Sequence, residues 1–270
     1  MNKNAMGFQP VWQTSDGKPP ASVRAFVTYR SGGGSAAPFY SNNLALHVGD
    51  DKNAVEKNRE NLSALLHLDA SIAWLNQVHS DRIVTENNYF TEFANDLIVE
   101  ADGVISSSNK LVCAIMTADC LPVLFCNKQG TQVAAIHAGW RGLANGILKK
   151  AVLAFKNNEA DDLMVFLGPG IGRDHYEVGE DVISALELTV SLKREKFSVL
   201  SIGESKLPEE SSASKYYLDM IAVARAQLTE MGVMNISGGD HCSFAEAEHF
   251  YSYRRDGVTG RMASLIWLES

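Results

Sequence analysis

Three apolar runs crowd the middle of the chain, at residues 111–116, 121–126 and 132–136. Each is too short and too close to its neighbour for a separate helix, so they read as strands buried on both faces, the core of a sheet. Residues 24–29, a β-branched and aromatic run, predict an earlier strand that empties into a glycine-rich loop at 31–35. Residues 72–78 predict a strand ending at His79, and 163–167 another, stopped by Gly168, Pro169 and Gly170. Helical spacing intervenes. Asp51 can cap a helix over 54–66 with Val55, Leu62, Leu65 and Leu66 on one face, and Leu143, Ile147, Ala151 and Phe155 recur every four residues after the turn at 139–142. A helix over 217–231 and strands near 233–236 and 263–267 complete an alternation of α and β elements. The stretch 201–214 reads as a surface loop. No linker, charge block or internal repeat divides the chain, so residues 1–270 are expected to form one domain.

Composition narrows the function. The chain is 46% hydrophobic and 21% charged, an ordinary globular balance, and carries a net charge of −8. That field repels polyanions and argues against nucleic-acid and anionic-membrane partners, while leaving room for a small anion on a local arginine cluster. No basic-then-apolar leader opens the sequence and no run approaches the length of a membrane span, so a soluble, cytoplasmic protein is expected. Cys113, Cys120, Cys126 and Cys242 form no C-x-x-C pair and are too sparse for a disulfide scaffold.

Three potential soft-metal ligands sit where strand-like runs end. His79 follows Val78, His137 follows Ile136, and Cys120 occupies the 117–120 connection between two strands. Spacings of 41 and 17 residues are too long for a zinc-finger loop and suit a site assembled by tertiary structure. Two imidazoles and a thiolate match the nitrogen and sulfur preference of zinc, and three protein ligands leave a tetrahedral ion one open position, as catalysis requires. Packing and ordinary hydrogen bonding are the bland alternatives for a cysteine and histidines beside strands. Without a metal, the same residues could form a cysteine nucleophile activated by histidine.

The motifs around these residues resemble one family along nearly the whole chain. They are Asn43-Leu44 with Val48-Gly49-Asp50-Asp51, Gln77-Val78-His79, Ala101-Asp102-Gly103, Thr117-Ala118-Asp119-Cys120-Leu121-Pro122 and His137-Ala138-Gly139-Trp140-Arg141-Gly142. They continue with 168–172, 176–179, 250–257 and 259–261. In this order they resemble the YfiH-type purine nucleoside phosphorylases, a family also labelled as laccase-domain or polyphenol oxidase proteins and as peptidoglycan editing factors. The resemblance implies an α+β fold of packed mixed β-sheets flanked by helices in α/β/β/α layers, similar to the catalytic domain of cytotoxic necrotising factor toxins. It implies zinc, or alternatively copper, on His79, Cys120 and His137. It also implies phosphorolysis of adenosine, guanosine, inosine and methylthioadenosine, with deamination of adenosine. A Cys120/His137 amidase editing muropeptide precursors and a copper-dependent polyphenol oxidase are the alternatives. The chain departs from the pattern around Asp174-His175, which touches no proposed ligand.

Further candidates carry weaker signals. Asp119 could orient a ligand or carry a proton, or only satisfy backbone N–H groups. Arg30 with the following glycine-rich turn could bind phosphate, or lie on a surface turn. Asn43 could orient substrate, or build a turn. Arg141, Arg254, Arg255 and Arg261 offer guanidinium groups for phosphate, though each alone is more often an ion-pair partner. Trp140 and Tyr253 could stack on a purine, while aromatics beside strands are normally core. His175, His241 and His249 lack an equally clean strand end and are left outside the metal site.

Overall fold

The computed structural model describes residues 6–12, 19–95, 99–155, 159–187 and 215–269, so the expected loop at 201–214 lies outside the described residues. The central apolar runs become β6 (Leu111–Thr117), β7 (Leu121–Asn127) and β8 (Val133–Ala138), buried along their whole length. They do not share one sheet. β6 belongs to a five-stranded sheet in the order β1 (Gly7–Phe8), β2 (Val23–Thr28), β13 (Met262–Leu268), β6, β3 (Ser71–Ala73). β7 and β8 lie inside a six-stranded sheet ordered β12 (Asn235–Gly238), β9 (Leu163–Leu167), β7, β8, β5 (Gly103–Ser106), β4 (Ile83–Thr85). Both sheets are mixed: β3 runs parallel to β6, β12 to β9 and β4 to β5, and the other neighbours are antiparallel. A separate two-stranded antiparallel sheet pairs β10 (Glu177–Gly179) with β11 (Lys215–Tyr217).

Side-chain alternation sorts the strands into layers. Cys113 and Ile115 of β6 meet Leu124 and Cys126 of β7 and Val133 and Ala135 of β8 in a core between the two sheets. The alternate residues of β7 and β8, including Val123, Phe125, Ala134 and Ile136, face outward onto helices. Those helices are α4 (Ile147–Ala154), α5 (Glu180–Glu187) and α6 (Met220–Glu230), joined by Leu143 of the short α3 (Trp140–Ala144). On the far side Val112, Ala114 and Leu265 pack under Leu62 of α1 (Lys52–Leu65). The result is the α/β/β/α sandwich, an α+β fold whose strands need no polar face because both sides are covered.

Several boundaries differ from the sequence expectation. The strand expected over 72–78 stops at Ala73, because the chain then crosses to bridge Asn76 with Glu100 instead of following β6. His137 lies within β8 and not beyond it, since its pairing with Pro122 of β7 extends the ladder. The helix expected from Leu143 to Phe155 is broken into α3 and α4 at Gly146, which caps α4 in the left-handed region at φ 77°. Asp51 caps α1 as expected, its carboxylate accepting from the Ala54 N–H. α2 (Glu86–Ala94) was not anticipated: its sequence is largely polar and buries only Tyr89.

Phe125 is fully buried between the six-stranded sheet and its helices, with Phe155 at 6.0 Å between ring centroids. Phe125→Ala is expected to cost about 3–5 kcal/mol in urea unfolding. A loss under about 1 kcal/mol would contradict this packing.

Candidate metal centre

β6 and β7 are consecutive in sequence but sit in different sheets, so residues 117–120 hand the chain from one layer to the other. Cys120 ends that hand-over. Counting back along β7, it shares the alternation of Leu124 and Cys126, which faces the opposite sheet; His137 on β8 shares that of Val133 and Ala135. Both side chains therefore point to the place where the inter-sheet layer opens at its end. His79 arrives on the loop after β3. The one ligand atom from each of the three lies within 4.8 Å of the others, and Cys120 Sγ is 3.7 Å from His79 Nε2. The imidazole rings meet edge to face, with centroids 4.9 Å apart.

One carboxylate organises the two histidines. Asp102 is fully buried and accepts from His137 Nδ1 at 2.7 Å, from the backbone N–H of His79 at 3.0 Å and Ser80 at 2.6 Å, and from the Ser80 hydroxyl at 2.7 Å. A longer bond from Val78 N–H measures 3.3 Å. These donors hold His79 at φ 59°, a left-handed conformation that a non-glycine residue adopts only when surrounding contacts impose it. With Nδ1 committed to Asp102, His137 turns Nε2 to the cavity, the arrangement by which carboxylates orient metal-binding imidazoles. Burial acts to raise the Asp102 pKa, but the hydrogen bonds from His137 and Ser80 outweigh it and hold the carboxyl below its usual range.

Cys120 and His137 are coupled in the same way. Burial would raise the thiol, yet His137 and His79 beside it prevail and lower it; burial would lower the imidazole, yet Cys120 and Asp102 raise it. The direction on both sides favours thiolate beside imidazolium. Cys113 and Cys126, buried in apolar layers, have their thiols pushed up and serve packing. Gly139 leaves the space the cluster needs, since a Cβ there would stand 3.0 Å from Cys120 Sγ and 3.2 Å from His79 Cδ2.

The donor chemistry fits a metal. Two imidazole nitrogens and one low-pKa thiolate converge, and their 3.7 Å sulfur–nitrogen separation is near the roughly 3.5 Å that two donors subtend across tetrahedral zinc. Zinc and copper both accept such donors. The cluster lines a cavity of about 540 Å³, within the usual range of small-molecule sites. Trp140, Arg141, Tyr176, Tyr253, Arg254 and Arg261 line it as well. Guanidinium groups lie over rings in three pairs: Arg141 over Trp140 at 4.4 Å, Arg254 over Tyr176 at 5.2 Å and Arg261 over Tyr253 at 5.9 Å. His47 also borders the cavity, its pKa lowered by burial and by Arg261 and Arg59.

The other sequence candidates divide clearly. Asp119 lines the cavity at φ 96°, but its carboxylate oxygens are taken by the Ser243 hydroxyl and the Arg254 N–H, both at 2.7 Å, so it anchors the turn that presents Cys120. Arg30, Asn43 and Arg255 are placed outside the cavity lining. Arg30 donates to the Ala247 carbonyl, and the N–H groups of Gly33, Gly34 and Ser35 are consumed by Ser41 and Asn58. Asn43 is buried, bonded to both backbone atoms of Ala45 and to the N–H of Arg261. Arg255 donates to the carbonyls of Ser243, Phe244 and Phe250. These three residues build loops. Asp102, Gln77 and Tyr176 were not singled out from sequence, although all three lie in the recognised segments.

Asp102→Asn places an amide N–H₂ among donors and is expected to cost about 3–5 kcal/mol at pH 7 in urea unfolding of metal-free protein. Because the folded pKa is depressed, the carboxylate contributes above the ordinary value of 3.8 and its contribution is lost as pH falls through the folded value. The gap between Asp102→Asn and wild type should therefore close on acidification. A gap that stays constant to the acid limit would contradict the assigned role.

The model of a family described as multi-copper polyphenol oxidoreductase laccase matches residues 24–269. A Pseudomonas aeruginosa protein named as a purine nucleoside phosphorylase is 43% identical over 258 residues, 96% of this chain and 98% of that one. Purine nucleoside phosphorylase YfiH of Escherichia coli is 42% identical, over 92% of this chain and 95% of its own. A crystal structure of a Neisseria meningitidis protein superposes with a TM-score of 0.86 at 40% identity, covering 98% of this chain and all of that one. With the described sandwich and cluster, these matches place the chain in the YfiH-type family of purine nucleoside phosphorylase-like, laccase-domain proteins.

Proposed function

We propose that this chain is a zinc-dependent purine nucleoside phosphorylase acting on adenosine, guanosine, inosine and methylthioadenosine, with adenosine deaminase activity at the same centre. The observation that carries the reading is an open three-donor cluster facing a cavity whose wall alternates guanidinium groups and aromatic rings. The names of the 41–43% identical relatives point the same way. His79, Cys120 and His137 would hold the ion, which supplies a Lewis-acid centre with a position left for water or substrate.

In phosphorolysis a phosphate oxygen forms a bond to the anomeric carbon as the glycosidic C–N bond breaks, and the electron pair leaves with the purine, which takes up a proton. Residues of this chain must hold a dianion close to a departing aromatic base. Arg141 suits the first task, because its guanidinium lies on Trp140 and makes no hydrogen bond or ion pair to the described residues. The exposed ring of Tyr253 and that of Trp140 suit the second by stacking. Asp119 and Asp102 keep the turn and the imidazoles in place during the reaction.

A second reading stands on geometry that needs no ion. Asp102, His137 and Cys120 form a carboxylate–imidazole–thiol line with the thiol lowered and the imidazole raised, the preparation a cysteine amidase requires. Such an enzyme would act on an amide such as that of a muropeptide precursor. Chelation separates the two: amide hydrolysis that survives metal removal but is abolished by iodoacetamide supports the amidase. The description of the matching family model suggests a copper oxidase, which metal analysis of native protein distinguishes.

Purified protein incubated with inosine should release hypoxanthine and ribose 1-phosphate only when phosphate is present; no hypoxanthine under either condition would sink the phosphorylase. Arg141→Ala should raise the KM for phosphate about 10- to 100-fold, the loss of one charge-assisted contact, with a smaller effect on the nucleoside KM. An unchanged phosphate KM would move the anion site elsewhere.

A further inference from the structure

We infer that Gln77 is a positioning residue for the metal centre, a side-chain clamp that fixes the His79 loop to the strand leading into Cys120. The inference rests on the metal reading proposed above and goes beyond it in naming what sets the distance between the sulfur and one imidazole.

The Gln77 side chain copies a strand pairing. Its Nε2 donates to the Met116 carbonyl at 2.8 Å, and its Oε1 accepts from the Met116 N–H at 2.8 Å, so one primary amide occupies both polar groups of one peptide position. Among the described residues, Met116 has no strand neighbour on that side. β3 pairs with β6 only from Leu111 to Cys113, after which the chain crosses over through Asn76 to bridge Glu100. On the other side β13 pairs with β6, with Ala263 opposite Met116. The glutamine amide thus continues the ladder that the backbone of residues 74–78 has left, at a position lining the cavity. The buried Met116 peptide would otherwise be left without partners on that side.

The location gives the clamp its consequence. Gln77 is two residues before His79, and Met116 is four before Cys120. Asp102 ties His79 to His137 but makes no bond to the Cys120 segment among the described residues. Asp119 ties the Cys120 turn to Ser243 and Arg254, and its carboxylate bonds neither His79 nor Gln77 among the described residues. Among the described residues, the Gln77–Met116 pair joins the histidine loop to the thiol strand by two well-formed hydrogen bonds. The 3.7 Å sulfur–nitrogen separation is the distance this clamp controls. Shell groups that orient ligands in this way typically change metal affinity 10- to 100-fold when removed.

The test uses full-length protein and two variants. Gln77→Leu keeps the bulk and removes both bonds; Gln77→Glu keeps the acceptor but sets an oxygen against the Met116 carbonyl. Zinc affinity is measured by competition with a chromophoric chelator, the thiolate-to-cobalt charge-transfer band is recorded after cobalt loading, and urea unfolding is followed without metal. Both variants should stay folded, lose about 10- to 100-fold in zinc affinity and show a weakened or shifted thiolate–cobalt band. Zinc affinity within twofold of wild type with an unaltered band would overturn the inference, as would failure of both variants to fold, which would make Gln77 a general stability residue. If only one variant folds, its affinity and band decide. Wild-type protein that binds neither zinc nor cobalt would overturn the metal reading itself, an outcome visible before any variant is made.

Discussion

A fully buried carboxylate must be surrounded by donors, and in this protein satisfying that requirement shapes the site. Asp102 collects the backbone N–H groups of residues 78–80, the Ser80 hydroxyl and the His137 imidazole. Meeting that demand forces the loop around His79 into a left-handed turn and fixes which nitrogen of His137 faces the cavity. The donors of the centre are therefore placed by the electrostatics of one acid as much as by the strands that carry them.

The sandwich supplies what the acid cannot, an apolar inter-sheet layer beside the cavity. β6 and β7 lie in different layers, so their connection must cross the inter-sheet space, and Cys120 sits on that crossing. Strain accompanies it, with Asp119 at φ 96° held by Ser243 and the Arg254 N–H. Those bonds also bring the start of α7 (Tyr253–Asp256), and with it Tyr253 and Arg254, to the cavity. Fold and site are thus coupled through main-chain hydrogen bonds, which is why the arginine–aromatic wall and the ligand cluster share one cavity.

Much of this was legible in the sequence, for physical reasons that differ by element. Runs such as 121–126 could only be buried strands, and Cys120 in a short connection between two of them had to emerge at a strand end. His79, Cys120 and His137 were singled out because imidazole and thiol are chemically distinctive at such places, and the fold brings their ligand atoms within 4.8 Å of one another. The roles of Arg30, Asn43 and Arg255 were not legible, because a guanidinium or amide that caps loop carbonyls has the same composition as one awaiting phosphate. Asp102 and Gln77 escaped because what matters is whom they bond across 35 and 39 residues, which no local pattern encodes. The strand after β3 was overestimated because apolar spacing continues through Leu75 while the hydrogen bonding has moved to another partner.

The proposed chemistry requires sulfur and two imidazoles to share one ion. X-ray absorption fine structure on the zinc-loaded protein measures this directly. It should show one sulfur at about 2.3 Å and two imidazole nitrogens at about 2.0–2.1 Å, with one further light atom. A shell of oxygen and nitrogen alone, without sulfur, would contradict it.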